Sequence, residues 1–124
     1  MTGLGGKRVL VVDDESLIAL HAEDLLIELG AIPVGPANSL EDALSHIDRG
    51  TCDAVLLDAN LNGRSSEPVA RRLALEGIPF VIVTGYGILP WREEARVLSK
   101  PYNGEEIGNA LLSAISAKEN HGTS

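Results

Sequence analysis

Four short segments of this chain end in residues able to handle a charged, oxygen-rich group: Asp13-Asp14-Glu15, Asp58, Thr84 and Lys100-Pro101. Each follows, directly or within one residue, an apolar run: Val9-Leu10-Val11-Val12, Ala54-Val55-Leu56-Leu57, Phe80-Val81-Ile82-Val83 and Val97-Leu98. Carboxylates gathered in one place repel one another and call for a cation, and hard oxygen donors in a compact site suit Mg²⁺ or Mn²⁺. A lysine neutralises a phosphoryl group and a hydroxyl hydrogen-bonds to it. Phosphoryl transfer asks for little beyond such positioning and charge stabilisation. An aspartate facing this set is a candidate nucleophile. Taken singly, each residue has a plainer role. Asp13-Asp14 suits a helix N-terminus, Asp58 a turn, Thr84 before Gly85 a strand end, and Lys100 a solvated surface. Their joint occurrence at the ends of apolar runs is what favours chemistry.

The elements that must position these residues are legible from periodicity. The four apolar runs read as buried strands. Between the first two, residues 16–29 place Ile18, Ala22, Leu25 and Leu29 on one helix face, stopped by Gly30. Residues 32–37 are apolar but contain Pro33 and Pro36, which cannot donate to a ladder, so this strand belongs at a sheet edge. Ser39 is a good N-cap for a second helix carrying Leu40, Ala43, Leu44 and Ile47, ended by Gly50. Ser65-Ser66-Glu67-Pro68 opens a third helix, with Val69, Leu73 and Ala74 inward and Gly77 at its end. Ile107, Ala110, Leu111, Ala114 and Ile115 mark the last helix.

Gly85, Gly87 and Pro90 leave only residues 89–95 for a fourth helix, expected to be abbreviated or mobile. Strands alternating with helices imply a parallel sheet covered on both faces. The proline-marked edge favours a flavodoxin-like, doubly wound α/β fold with five strands in the order 2-1-3-4-5, whose ligand site lies outside the carboxyl ends of the strands. One domain is expected over residues 1–124, with a core spanning about residues 6–117 and a frayed tail at 118–124.

Composition narrows the function classes. The chain has 124 residues, 44% hydrophobic and 23% charged, with aromatics at only 3%, so its core must be aliphatic. A net charge of −8 without a basic run disfavours nucleic-acid binding. The single Cys52 precludes an internal disulfide and fits a cytoplasmic setting; no apolar run is long enough to span a bilayer.

The pattern Asp13-Asp14, Asp58, Thr84, Lys100-Pro101 resembles the receiver domain of two-component response regulators over essentially the whole chain. Val9 to Glu15 looks like that family's first strand and acidic loop, and Leu56-Leu57-Asp58-Ala59-Asn60-Leu61-Asn62-Gly63 like its phosphoacceptor strand and loop. The resemblance implies that Asp58 accepts the phosphoryl group while Thr84 and Lys100 contact its oxygens. It implies that Asp14, Asp58 and the Asn60 backbone carbonyl ligate Mg²⁺ (or Mn²⁺), with Asp13 acting mainly through water, and that the Lys100–Pro101 bond is cis. The implied partners are a sensor histidine kinase and a histidine phosphotransfer or other downstream protein, without nucleic acid or membrane insertion. The implied activity is limited to the domain's own phosphorylation and dephosphorylation.

Val97 stands where the family often has an aromatic switch residue. Pro79-Phe80-Val81-Ile82-Val83-Thr84-Gly85-Tyr86-Gly87 instead resembles the FATGUY subgroup, commonly single-domain receivers of alphaproteobacteria, although Ile82-Val83 replaces Phe-Ala. A stand-alone switch is therefore expected, with a relay intermediate or a phosphate sink as alternatives. An aspartyl-phosphate phosphatase of the haloacid dehalogenase type would need a second carboxylate at Asn60. A flavin-binding protein would need a Ser/Thr/Gly-rich loop after the first strand, where this chain is acidic.

Overall fold

A computed structural model of the chain describes residues 4–85 and 96–122. In chain order the elements are β1 (Arg8–Val12), α1 (Ser16–Glu28), β2 (Ile32–Ala37), α2 (Leu40–Asp48), β3 (Ala54–Asp58), β4 (Asn60–Leu61), β5 (Arg64–Ser65), α3 (Glu67–Glu76), β6 (Phe80–Thr84), β7 (Arg96–Ser99) and α4 (Gly104–Gly122). The main sheet is parallel with the order β2-β1-β3-β6-β7. With the two-stranded β4-β5 ribbon set aside, this is the expected 2-1-3-4-5 order, and the proline-bearing β2 is an edge strand.

Strand periodicity divides the core into two layers, because successive side chains point to opposite faces. Val9 and Val11 of β1 and Leu56 of β3 pack with Ala19, Ala22 and Leu26 of α1 and Ile107, Leu111 and Ile115 of α4. The alternate residues Leu10, Val12, Val55 and Leu57 pack on the other face with Leu40, Ala43 and Ile47 of α2 and Val69, Ala70 and Leu73 of α3. The apolar runs are continuous because both faces are covered.

The strand ends are stepped. Val12 lies level with Leu57, Asp58 with Val83, and Thr84 with Ser99. This register brings Asp13 level with Asp58, Thr84 one residue beyond Asp58, and Lys100 one residue beyond Thr84.

Local signals account for several boundaries. Ser39 Oγ accepts from the Asp42 N–H at 3.0 Å, capping α2, and α3 ends on Gly77 in the left-handed region. Gly35 in β2 has φ +94°, and a Cβ there would stand 2.9 Å from the Ala37 nitrogen and 3.1 Å from Leu10 Cδ1. Gly35→Ala is therefore expected to lower stability by about 2 kcal/mol through strain and crowding. A urea midpoint equal to that of the parent protein would contradict this.

The structure departs from the sequence reading at four places. The segment after Asp58, expected as a loop, contains the β4-β5 ribbon. The last strand is longer than Val97-Leu98, pairing with β6 from Arg96 to Ser99. Helix α4 continues to Gly122, past Lys118, where fraying was expected. The core begins before residue 6: Leu4 is fully buried in the layer beneath α1 and α4, and the Gly6 N–H donates to the Gly30 carbonyl at 3.0 Å, drawing the leading segment back against the fold. The expected fourth helix, residues 89–95, lies outside the described residues, as do Tyr86 and Gly87. Among the described residues no helix is long and apolar enough to cross a membrane.

Candidate functional site

The residues singled out by spacing meet at one rim. Asp13 leaves β1 with its N–H donating to the Ala37 carbonyl at 3.0 Å, while its Oδ1 accepts from the Glu15 N–H at 2.9 Å. The side chain is thereby held inward, and Asp13 is buried. Asp14 turns the other way, its Oδ2 accepting from the Asn62 N–H at 3.0 Å. Asp58 ends β3 and is buried, its Oδ1 accepting from the Asn60 N–H at 3.3 Å.

Thr84 is buried at the end of β6, and its backbone carbonyl accepts from the Lys100 N–H at 2.9 Å. That bond fixes where the lysine departs from the sheet. The Lys100–Pro101 bond is cis, as is Gly35–Pro36. Lys100 Nζ then lies 3.2 Å from Asp58 Oδ2 and 3.5 Å from Asp13 Oδ2, bridging the two buried carboxylates. Carboxylate oxygens of Asp13, Asp14 and Asp58 all lie within 4.8 Å of one another. Beside them opens a cleft of about 330 Å³ lined by Asp14, Glu15, Asp58, Ala59, Asn60, Thr84, Gly85 and Lys100.

The electrostatics show a site short of positive charge. Burial and then the neighbouring Asp13 charge push the Asp58 carboxyl up to about 6; Lys100 and the Asn60 N–H offset only part of this. For Lys100, burial pulls downward but is outweighed by Asp58 and Asp13, so its pKa lies above the ordinary lysine value. The lysine is thus charged throughout the physiological range and still leaves one carboxylate under-compensated. Burial first, then Asp13, also raises the half-buried Tyr102 phenol. Three close carboxylate donors and one bridging ammonium fit a hard divalent cation.

The structure brings Asp13, Asp14, Asp58, Thr84 and Lys100 together at this rim, with Asn60 in the cleft wall. Glu15, singled out with the acidic pair, also lines the cleft, whereas Ala59 as a lining residue and Asn62 as the group that orients Asp14 were missed. The signal for Asn62 was present. Asn62 and Gly63 have φ of +54° and +80°, and Asn-Gly is the dipeptide most suited to a two-residue hairpin turn. Asn62 Nδ2 also donates to the Asn38 carbonyl at 3.2 Å, and the Gly63 N–H donates to Asn60 Oδ1 at 3.0 Å. The Asn62 bonds thus tie the ribbon's turn to Asp14 and Asn38, and the Gly63–Asn60 bond closes the turn itself.

Comparison with known proteins agrees with this geometry. Residues 9–112 match the response regulator receiver domain family. The solution structure of SdrG from Sphingomonas melonis Fr1 superposes with a TM-score of 0.79 at 38% identity, covering 94% of this chain and 99% of that one. The transcriptional regulatory protein PdtaR of Mycobacterium tuberculosis is 28% identical over 117 residues, covering 89% of this chain. The chain spans only 57% of the length of that relative. The anti-anti-sigma factor PhyR from Bartonella quintana shares the fold, with a TM-score of 0.83 at 23% identity over 95% of this chain and 51% of that one.

Proposed function

We propose, from the premise that this chain belongs to the response regulator receiver domain family, that it is a phosphorylation switch whose acceptor is Asp58. The observation that carries the reading is the Lys100 bridge to Asp58 and Asp13 at the mouth of the cleft, with Thr84 at the next strand end. A carboxylate oxygen of Asp58 attacks the phosphorus of a phosphohistidine presented by a sensor histidine kinase. The O–P bond forms as the P–N bond breaks, and the imidazole leaves. Lys100 Nζ, already beside Asp58 Oδ2, follows the phosphoryl oxygens as negative charge gathers on them. The Thr84 hydroxyl donates to one of those oxygens. The buried β3 end fixes Asp58 for attack from the cleft side.

Asp14 and Asp58, with the Asn60 carbonyl, would hold Mg²⁺ or Mn²⁺ directly, and Asp13 would act through water. Bound there, the cation neutralises phosphoryl charge. The domain catalyses only its own phosphorylation and dephosphorylation. It works in the cytoplasm as a stand-alone switch, and its phosphorylated face is read by a phosphotransfer or other downstream protein.

Incubation with Mg²⁺ and acetyl phosphate tests the reading. One acid-labile phosphoryl group per chain is expected, and none would overturn it. A related expectation concerns the cation alone. Millimolar Mg²⁺ should raise the melting temperature by relieving repulsion among the three carboxylates, and Asp14→Ala should remove most of that rise. Equal rises in both proteins would place the cation elsewhere.

A further inference from the structure

The β4-β5 ribbon and the start of α3 carry an arrangement that catalysis alone does not explain. The ribbon is held at its first residue and at its turn by the carboxylates of the rim, since Asp58 Oδ1 accepts from Asn60 N–H and Asp14 Oδ2 from Asn62 N–H. Its trailing end is Ser65, whose Oγ accepts from the Glu67 N–H at 3.1 Å and so caps α3. The residue in the regular N-cap position is Ser66, and its side chain makes no capping bond. Ser66 is fully buried, and among the described residues its Oγ has no hydrogen-bond partner. A buried hydroxyl in that condition is costly and rare.

The backbone explains why Ser66 does not cap. Its φ and ψ are −87° and 13°, not the extended conformation of an N-cap. An N-cap hydroxyl reaches the second or third helical N–H. The second position is Pro68, which has no N–H, so Val69 is the one amide Ser66 could take. The Val69 N–H now donates at 3.0 Å to the Ser66 carbonyl, which also accepts from Ala70. The Ser66 N–H donates at 2.9 Å to the carbonyl of Ala59, the residue after Asp58. The cap is therefore one hydrogen bond from the acceptor strand and one residue from the ribbon.

We propose that the α3 N-terminus has two alternative caps. Ser65 caps it while Asp14 and Asp58 hold the ribbon. Ser66 takes over, through Val69, when a cation and a phosphoryl group at the rim draw those carboxylates away. The inference rests on the phosphorylation reading of the same rim. The cation and phosphoryl group compete for the carboxylate oxygens that now bind the Asn60 and Asn62 amides. With the Asn60 and Asn62 amides released and the Asn60 carbonyl drawn to the cation, the ribbon shifts about its remaining Asn62–Asn38 tie, Ser65 leaves Glu67, and Ser66 swings to extended backbone and finds the partner it lacks. Occupancy of the cleft is thereby transmitted to α3.

The test compares the parent protein, Ser66→Ala and Ser65→Ala by thermal melting, with and without beryllofluoride and Mg²⁺. Beryllofluoride with Mg²⁺ should raise the parent's melting temperature. In Ser66→Ala that rise should be smaller by about 3 °C, although the metal-free variant is as stable as the parent or more so. Ser65→Ala should lower the melting temperature of the metal-free protein and enlarge the rise, because the occupied protein no longer uses that cap. Amide exchange in the parent gives a second readout: beryllofluoride should speed exchange at Glu67 and slow it at Val69. An equal rise in Ser66→Ala with unchanged exchange at both amides overturns the two-cap device alone. No rise in the parent overturns the phosphorylation reading beneath it.

Discussion

Asp58→Asn is expected to abolish acid-labile phosphorylation while making the metal-free protein more stable. The loss is total because the amide is no nucleophile toward phosphorus and no other described carboxylate receives Lys100 while facing the cleft in the same way. The gain follows from the pKa. In the folded protein the Asp58 carboxyl sits at about 6, against an ordinary value of 3.8, because it is buried beside Asp13. A folded state that binds a proton more tightly than the unfolded chain loses stability as pH rises through that window. The parent protein should therefore weaken between about pH 4 and pH 6 and carry the whole deficit above pH 6. A shift of this size corresponds to a few kcal/mol, roughly 3 at most. Asn keeps the shape and carries no charge, so its advantage in melting temperature should be largest at pH 7.5 and vanish near pH 4. A variant less stable than the parent at pH 7.5 would show that Lys100 over-compensates the carboxylates, contrary to the balance derived from burial. Phosphate retained on the variant would displace Asp58 as acceptor.

Lys100→Ala should slow phosphorylation by acetyl phosphate by roughly 100-fold, the scale on which a single preorganised charge-stabilising donor acts. Among the described residues it is the one cationic side chain lining the cleft. It also touches both buried carboxylates, so its removal strips the acceptor of its neighbour and the phosphoryl oxygens of their ammonium. Lys100→Arg keeps the charge but replaces a compact ammonium with a planar fork, and it should recover only part of the rate. A rate within threefold of the parent's in Lys100→Ala would mean that the lysine serves the fold alone. The Mg²⁺-dependent melting rise separates the two roles, because it reads the carboxylates without requiring transfer.

The parts of the molecule that obey a simple period were legible in the sequence. Aliphatic runs such as Val9 to Val12 have little choice but a doubly covered strand, and Pro33 and Pro36 exclude β2 from the sheet centre. Once the strands are ordered, Asp13, Asp58, Thr84 and Lys100 converge because each follows or ends a strand at the same side of the sheet. What the period does not carry was missed. The β4-β5 ribbon has only two residues per strand, too few for alternation to register, and its evidence lay in the Asn62-Gly63 turn. Leu4 sits in a glycine-rich stretch without periodicity, and its burial depends on where α1 and α4 leave space. The cap at Ser66 illustrates a third limit. Ser65 and Ser66 both read as good N-terminal residues, and only the backbone conformation shows which one caps.

The stepped register of the strand ends also bears on which insertions and deletions the gene can tolerate. Asp13 shares its parity with Val9 and Val11, and Asp58 with Ala54 and Leu56, all residues of the layer beneath α1 and α4. Lys100 stands two residues beyond Leu98, which packs against that same layer. A one-residue insertion in β3 ahead of Leu56 would turn Asp58 off the rim and Leu56 out of its layer in the same stroke, since strand faces alternate. A shift of the pleat there would therefore cost the fold and the rim together. Changes of length at the Asn62-Gly63 turn leave the pleat and the core alone and reach the rim only through the Asn62 bonds to Asp14 and Asn38.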